Sequence, residues 1–433
     1  LDGKNRLWIS SNLSARLVRL SVAHRRQKAG QPVDAARYCS HLLFTHHLFP
    51  ADRLQGSDGL RKVIGRLQGL FLPCSHWESV VFPARLNGYR KEDLDALCAS
   101  GEVIWIGKRD EAGKEGKVAF FLSDNRELYA PFLQQAGGTR HPELLELLRN
   151  MGASFLSALC RETGRLPSEL LADLLDLVWE GHVANDQFAP LRNSLRSADS
   201  LRKAGSGLGR WYALSTLGKG EVPPEQSALA WSKHLLASIG LVTRDLVSLY
   251  APFSWDTMFG VMKRLEEWGI ATRGLFVETI ENLQFSAMET LVALRQPAPS
   301  VGREVTVLSS VDPANPFGQI IPWPALKGAA FARKKGNDLV FCGGTWLFWL
   351  QNNGRAIYDM GGEAATERDA AERRQHALKE VFRILIRQRK LPKVAVDTWN
   401  GQRVANTPAA ELLQQLGAER DRDSFVLWPS AIR

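Results

Sequence analysis

The sequence predicts an α+β protein made of repeated helical units, each closed by a short β-hairpin, and two observations lead there. The first is a phrase that recurs three times. LDALCASGEV places Leu94, Leu97, Gly101 and Val103 at fixed offsets, LLDLVWEGHV repeats them at Leu174, Leu177, Gly181 and Val183, and MKRLEEWGIA at Met262, Leu265, Gly269 and Ala271. Two apolar residues three apart share one helix face, and a glycine four further on can take the left-handed conformation that ends the helix. Helix, glycine, strand is the order in which the third helix of a winged-helix unit passes into its wing. The glycines lie 80 and 88 residues apart, the size of a small domain rather than of a solenoid repeat. The second observation is a change of pattern after QPAPSVG. VTVLSS, GQIIPW, DLVFCGG, TWLFWLQ and AIYDM are short apolar runs separated by turn residues, the pattern of a small β-barrel. The expected architecture is tandem winged-helix domains, then the small β-barrel, then a C-terminal α/β segment.

Residues 1–50 read as a helical N-terminal segment, the remainder of an upstream winged helix, with the basic cluster Arg16, Arg19, Arg25, Arg26 and Lys28 ahead of HLLFTHHLFP. Residues 51–137 form the first winged helix: LRKVIGRLQGLF and YRKEDLDALCAS are helical, and VIWIG and KVAFFLS are strands around KRDEAGKEG, a long basic wing. Residues 138–222 form the second, with helices HPELLELLRN, ASFLSALCRETG and PSELLADLLDLVWEG, Pro167 suiting an early helical position, and a Gly- and Ser-rich stretch at 204–209. Residues 223–300 form the third, ending in the wing TRGLFVETIENLQFS, with Ser254 as the cap of its third helix. The barrel is expected over 301–363. Residues 364–433 read as a highly charged helix, 364–391, followed by strand, helix and strand.

At 433 residues, with 45% hydrophobic and 23% charged residues, the chain suits three to four soluble domains. No apolar run approaches the ~18–20 residues of a membrane span. Five scattered cysteines without a C-x-x-C pair argue against a disulfide framework and a structural zinc, and fit a reducing cytoplasm. His41, His46 and His47 have no acidic or cysteine company, so no metal is expected. The chain starts at Leu1, which reads as a fragment or a processed chain. A net charge of +9 suits a polyanionic partner.

A helix in the major groove needs Arg, Lys, Asn or Gln toward the bases. The second reading helix instead carries Glu169, Asp173, Asp176 and Glu180 and no basic residue; the first sets Arg90 and Lys91 against Glu92, Asp93 and Asp95; the third has Lys263 and Arg264. Sequence-specific readout by every unit is not expected, and contact through wings and inter-domain grooves is. Lys108, Arg109, Lys114 and Lys117 on the first wing, Arg244, Lys263, Arg264 and Arg273 on the third unit, and Arg333, Lys334 and Lys335 beside the barrel are the candidate phosphate contacts, although a single such residue is more often a solvated surface charge. Trp346, Phe348 and Trp349 are expected in the β-core. Asp312, in VDPANPFG, reads as a turn residue capping its own backbone.

The phrases LQGLFLPCSHWESVVFPARLNGYRKEDLDALCASGEVIWIG, GASFLSALCRETGRLPSELLADLLDLVWEGHVANDQFAPLR, GLFVETIENLQFSAMETLVALR, VLSSVDPANPFGQI and WNGQRVANTPAAELLQQLGA together resemble the C-terminal part of bacterial large helicase-related proteins, Lhr. The resemblance implies a DNA-repair helicase whose ATP-dependent motor precedes this region, so ATP and magnesium belong to that core and no cofactor is expected here. GKRDEAGKE has the wrong glycine spacing for a P-loop and Glu115 where Ser or Thr would bind magnesium. It also implies DNA, single-stranded or damaged, as partner, and a nucleoid-associated cytoplasmic location. The winged-helix pair with a β-domain is similar to winged-helix DNA glycosylases that unhook crosslinks, which use a Gln-x-Gln or Gln-x-Asp motif. GRLQGLF puts Gln68 in that place but Leu70 at the second position.

Gln68, Glu78 and Arg85 are the local set for base excision: Glu78 lies beside Trp77, a stacking surface, and Arg85 would pin a phosphate. An ion pair between Glu78 and Arg85 is the plain alternative. The Lhr resemblance implies uracil excision with an aspartate near the chain end, which points to Asp421 and Asp423 in ERDRDSF, also readable as an exposed charged turn. Two functions stay open: a DNA-binding repair module with glycosylase activity, and a non-catalytic module whose acidic reading helix and charged helix assemble a homo-oligomer.

Overall fold

Gly101, Gly181 and Gly269 have φ of +77°, +78° and +82°, the left-handed conformation that favours glycine. They follow the helices Lys91–Ala99, Pro167–Trp179 and Trp255–Glu267, and each leads directly into a strand. The apolar pairs before them, Leu94 with Leu97, Leu174 with Leu177 and Met262 with Leu265, are buried. The computed structural model describes residues 10–111, 115–134, 138–194, 209–218, 220–296, 302–361 and 367–432. Lys114 and residues 204–208 of the Gly- and Ser-rich stretch lie outside the described residues.

All three units share one plan. In the first, helix Gly56–Arg66 and the helical stretch from Cys74 to Arg85 precede the reading helix. The wing strands Val103–Lys108 and Lys117–Leu122 pair antiparallel, and Leu72–Pro73 joins the second of them. In the second, helices Pro142–Met151 and Leu156–Thr163 come first, and strands Ser154–Phe155, Arg210–Ala213 and Val183–Asn185 lie in that order across the sheet. In the third, helices Pro224–Ile239 and Arg244–Tyr250 precede Trp255–Glu267, whose cap Ser254 accepts the Thr257 N–H at 3.3 Å. Its wing pairs Thr272–Gly274 with Gln284–Ser286. The tandem winged helices expected from the repeat are present.

The region after 302 holds an open six-stranded sheet, ordered Gln402–Arg403, Thr398–Trp399, Ala356–Asp359, Thr345–Gln351, Asp338–Cys342, Val305–Ser309. Among the described residues its outer strands have no further partner, so the closed barrel suggested by the turn spacing is not found. Helices supply the burial that closure would have supplied. Val340, Cys342, Phe348, Leu350 and Ile357 meet Ala377, Leu378, Val381, Phe382 and Leu385 of the charged helix, which runs Glu367–Arg383 and continues through a wider turn, Ile384–Gln388. On the other face Leu339, Phe341, Trp349 and Tyr358 share a core with Tyr38, Leu42 and Leu43 of helix Ala35–Thr45. The charged helix therefore already has a partner for its apolar side, which removes it as a reason to expect assembly.

Trp346, Phe348 and Trp349 are all in the core, as expected. Phe341 pairs with Trp346 and Val340 with Phe348, leaving Leu347 as an extra residue. That bulge puts Trp346 on the same face as Trp349 and explains their imperfect alternation.

Candidate nucleic-acid interface

A groove of about 900 Å³ opens where the first wing, the end of the second reading helix, the second helix of the third unit and the turns beside the open sheet meet. Phe71, Phe132, Trp179 and Tyr250 give it aromatic walls, and the cations Lys108, Arg109, Lys117 and Arg333 line it together with the acids Asp110, Glu111 and Glu180. Local sequence fixes each of these. Lys108 and Lys117 face each other at the loop end of the wing hairpin, and the Lys108 ammonium sits 5.8 Å from the centre of the Phe71 ring, a cation–π contact. Lys117 pairs with Asp110 at 3.2 Å. Arg333 spends its guanidinium on the carbonyls of Asp312, Asn315 and Phe317, which makes it a strut of the groove wall. Burial pushes the Tyr250 phenol up to about 12, so it faces the groove as a neutral hydroxyl, donating to Gln319 at 3.2 Å.

The wing is clamped to the second unit. A Cβ on Gly107 would lie 2.6 Å from the Val178 carbonyl oxygen, and one on Gly116 would lie 2.3 Å from the Trp179 ring, so only glycine lets the hairpin approach this closely. The Arg109 N–H donates to the Trp179 carbonyl at 2.8 Å, and its guanidinium pairs with Asp176 at 3.0 Å. Asp173, Asp176 and Glu180 of the second reading helix are engaged within the chain, and Glu169 is exposed. Asp173 pairs with Arg165 and His141, and Glu180 accepts from Thr139.

The excision candidates are not brought together. Gln68 is 2% exposed; its carbonyl oxygen accepts from the Leu122 N–H and the Asn125 amide, and its own amide donates to Gly65. Glu78 and Arg85 do not pair with each other. Glu78 accepts from Arg192 at 2.7 and 2.9 Å and from the Tyr89 hydroxyl at 2.7 Å, and Arg192 also binds Asp95 at 3.0 Å. Burial works against the Arg192 charge, but the bonds to Glu78 and Asp95 outweigh it and hold the guanidinium protonated. Arg85 is fully buried in a two-point pair with Asp312, at 2.8 and 2.7 Å, so the arginine expected at a phosphate is instead a lock between the first unit and the sheet region. Asp312 also accepts the Ala314 N–H at 2.8 Å, the turn role expected of it. Asp421 is exposed on strand Glu419–Asp421, and Asp423 pairs with exposed Arg403 at 2.9 Å. None of Gln68, Glu78, Asp421 and Asp423 lines the groove.

The remaining cations lie elsewhere. Arg273 is held by Glu266 at 3.3 Å, Arg264 lies 3.7 Å from Glu225, and Arg244 and Lys263 are exposed on the third unit. Lys334 is exposed, with its backbone tied to Ser310, and the Lys335 ammonium donates to the Ser79 hydroxyl at 3.3 Å. Among the described residues no three His, Cys, Asp or Glu side chains stand together as a metal site. Sequence reasoning missed Trp179 and Phe71. The signal for Trp179 was there: it occupies the position that Ala99 and Glu267 hold in the other two repeats, a large aromatic where neither has one.

Three winged helices around an aromatic-walled groove of mixed charge make this a tandem winged-helix protein. Residues 33–123 and 221–306 match winged-helix domain models of the large helicase-related protein, the third and fourth of that family's series. These segments are Lhr winged-helix domains. The chain is 30% identical over 426 residues to the Lhr helicase/probable uracil glycosylase of Mycolicibacterium smegmatis, covering 91% of this chain and 28% of that one. It is 28% identical over 478 residues to the Lhr helicase/uracil glycosylase of Escherichia coli, covering 95% of this chain and 30% of that one. The chain thus spans less than a third of these relatives. Among solved structures, the DNA glycosylase AlkZ of Streptomyces sahachiroi matches with a TM-score of 0.44 and 13% identity, over 83% of this chain and 98% of that one, too distant to transfer a residue's role.

Proposed function

We propose that this chain is a DNA-binding region of a repair helicase and that its central groove holds an unpaired strand from which a damaged base, uracil in the first instance, is excised. The groove is the observation that supports this most. Cations at the loop end of a wing neutralise phosphates, and aromatic faces stack unpaired bases without regard to sequence. The acidic second reading helix, bound up with the first wing, is unavailable to a major groove. Uracil excision is supported by the two relatives, both of which carry a uracil glycosylase in their names, and flipping a base costs least in a strand that is already single. Asp421 and Asp423, the exposed acids nearest the chain end, remain the proposed carboxylates for that chemistry; they lie outside the groove, so the excision proposed for them acts on a stretch of the strand that runs beyond it. The test is incubation of the purified chain with uracil-containing single-stranded DNA followed by alkaline cleavage of abasic sites. Strand scission at uracil supports excision; binding without scission leaves a strand-holding module; neither binding nor scission rejects the proposal.

A second reading, assembly of several copies, is supported by one observation. Helix Ser11–Lys28 exposes Leu13, Leu17 and Leu20, spaced along one face. Sedimentation of the chain at micromolar concentration as a monomer alone would reject it.

A further inference from the structure

We infer that Asp176 is a counter-charge that holds Arg109 at the rim of the groove and competes with nucleic-acid phosphate for it. The inference rests on the groove being a strand-binding site.

Asp176 belongs to a reading helix, yet its carboxylate reaches another domain, meeting the Arg109 guanidinium of the first wing at 3.0 Å, with His141 of its own unit at 3.4 Å. The two partners differ in how they are held. Arg109's backbone is fixed by its bond to the Trp179 carbonyl and by the close glycine contacts beside it, so only the side chain is free to swing. Arg109 and Asp176 are 49% and 38% exposed. Water reaches both, and a phosphate entering the groove can take the guanidinium without opening the fold. When it does, Asp176 keeps His141 beside it, while Asp173 keeps Arg165 at 2.6 Å. The exchange replaces one ion pair by another. It also places a negative charge next to the bound phosphate, which weakens binding relative to a groove without it. The second unit thus sets how tightly the first wing grips a strand, a use for an acidic helix that direct readout cannot supply.

The same hairpin shows the arrangement again, with Lys117 paired to Asp110 at 3.2 Å. Lys108 has the Phe71 ring in place of an acid. The wing's cations are therefore graded, one resting on an aromatic ring and two held by carboxylates.

The test measures binding of a fluorescent oligothymidylate strand across a salt series for the parent chain, Asp176→Asn, Arg109→Ala and the double variant, with Asp176→Ser as a second neutralising change. Thermal unfolding of each variant confirms the fold. Asp176→Asn and Asp176→Ser are expected to bind about two- to five-fold tighter, the worth of an exposed ion pair. Arg109→Ala is expected to bind more weakly, and the gain from Asp176→Asn is expected to vanish when Arg109 is absent. Unchanged or weaker binding by folded Asp176→Asn overturns the inference, as does a gain that persists without Arg109, which would make Asp176 a distant charge only. A parent chain that fails to bind the strand overturns the groove reading itself and this inference with it.

Discussion

Arg85 and Asp312 show how a residue's role depends on a partner far along the chain. Their side chains are 1% and 0% exposed, and removing one member of such a buried pair leaves an unpaired charge that costs about 3–5 kcal/mol. Arg85→Met is therefore expected to lower unfolding free energy by that order, with a smaller loss in the double variant Arg85→Met/Asp312→Leu than the two single changes would sum to. Denaturant unfolding checks both. Gln68 is comparable: Gln68→Ala strips the Leu122 N–H of its acceptor, which is expected to cost about 1–3 kcal/mol in the same measurement. Asp421→Asn and Asp423→Asn alter exposed groups and are expected to shift stability by less than about 0.5 kcal/mol. A fall of about 10²–10⁴ in uracil excision with stability unchanged would identify either as the catalytic carboxylate, and full excision by both would exclude them.

Helices and hairpins were the most legible level. A glycine at a fixed offset after two apolar residues is a local signal, and it located Gly101, Gly181 and Gly269, the three reading helices and the strands after them. What closes a sheet or covers a helix is not local. The open sheet draws strands from 398–403 across an intervening helix, a pairing that no turn signal announces, and the charged helix hides its apolar face on that sheet. The site was legible in part for the same reason. The wing cations Lys108, Arg109 and Lys117 were found because a hairpin tip is local, whereas Arg192 meets Glu78 across 114 positions and Asp312 meets Arg85 across 227. The wing clamp gives a prediction at this scale. Gly107→Val would drive a side chain into the Val178 carbonyl, so it is expected to cost about 1–3 kcal/mol and to weaken strand binding; a variant with parent stability and affinity would show that the wing is not held there.

At the scale of the whole molecule, the junction between the N-terminal helices, the first unit and the third unit contains one buried histidine, His46, and two half-buried ones, His41 and His234. His46 bonds to the Ser238 carbonyl at 2.8 Å, and His234 bonds to the Gln68 carbonyl at 3.0 Å. Burial, with nearby Arg66 adding to it, lowers His41 and His234 from 6.5 to about 4 and pushes His46 well below its usual range. The unfolded chain therefore binds protons between about pH 6.5 and 4 that the folded chain refuses. Stability is expected to fall as pH drops through that window, by roughly 1.4 kcal/mol per pH unit for each such histidine. Thermal unfolding from pH 7 to 4 checks it, and a flat profile would contradict the burial of these rings. Whether the groove where the units meet holds an unpaired strand is decided by the affinity of a single-stranded oligonucleotide for a Phe71→Ala/Lys108→Ala/Lys117→Ala variant across a salt series. A strand in the groove requires weaker binding and a shallower dependence of log K on log[salt], by roughly 0.7 for each phosphate no longer neutralised, in a variant that remains folded, while Arg244→Ala/Lys263→Ala on the third unit leaves both unchanged. Unchanged affinity and slope in the groove variant, with the weakening found instead in the third-unit variant, would contradict it.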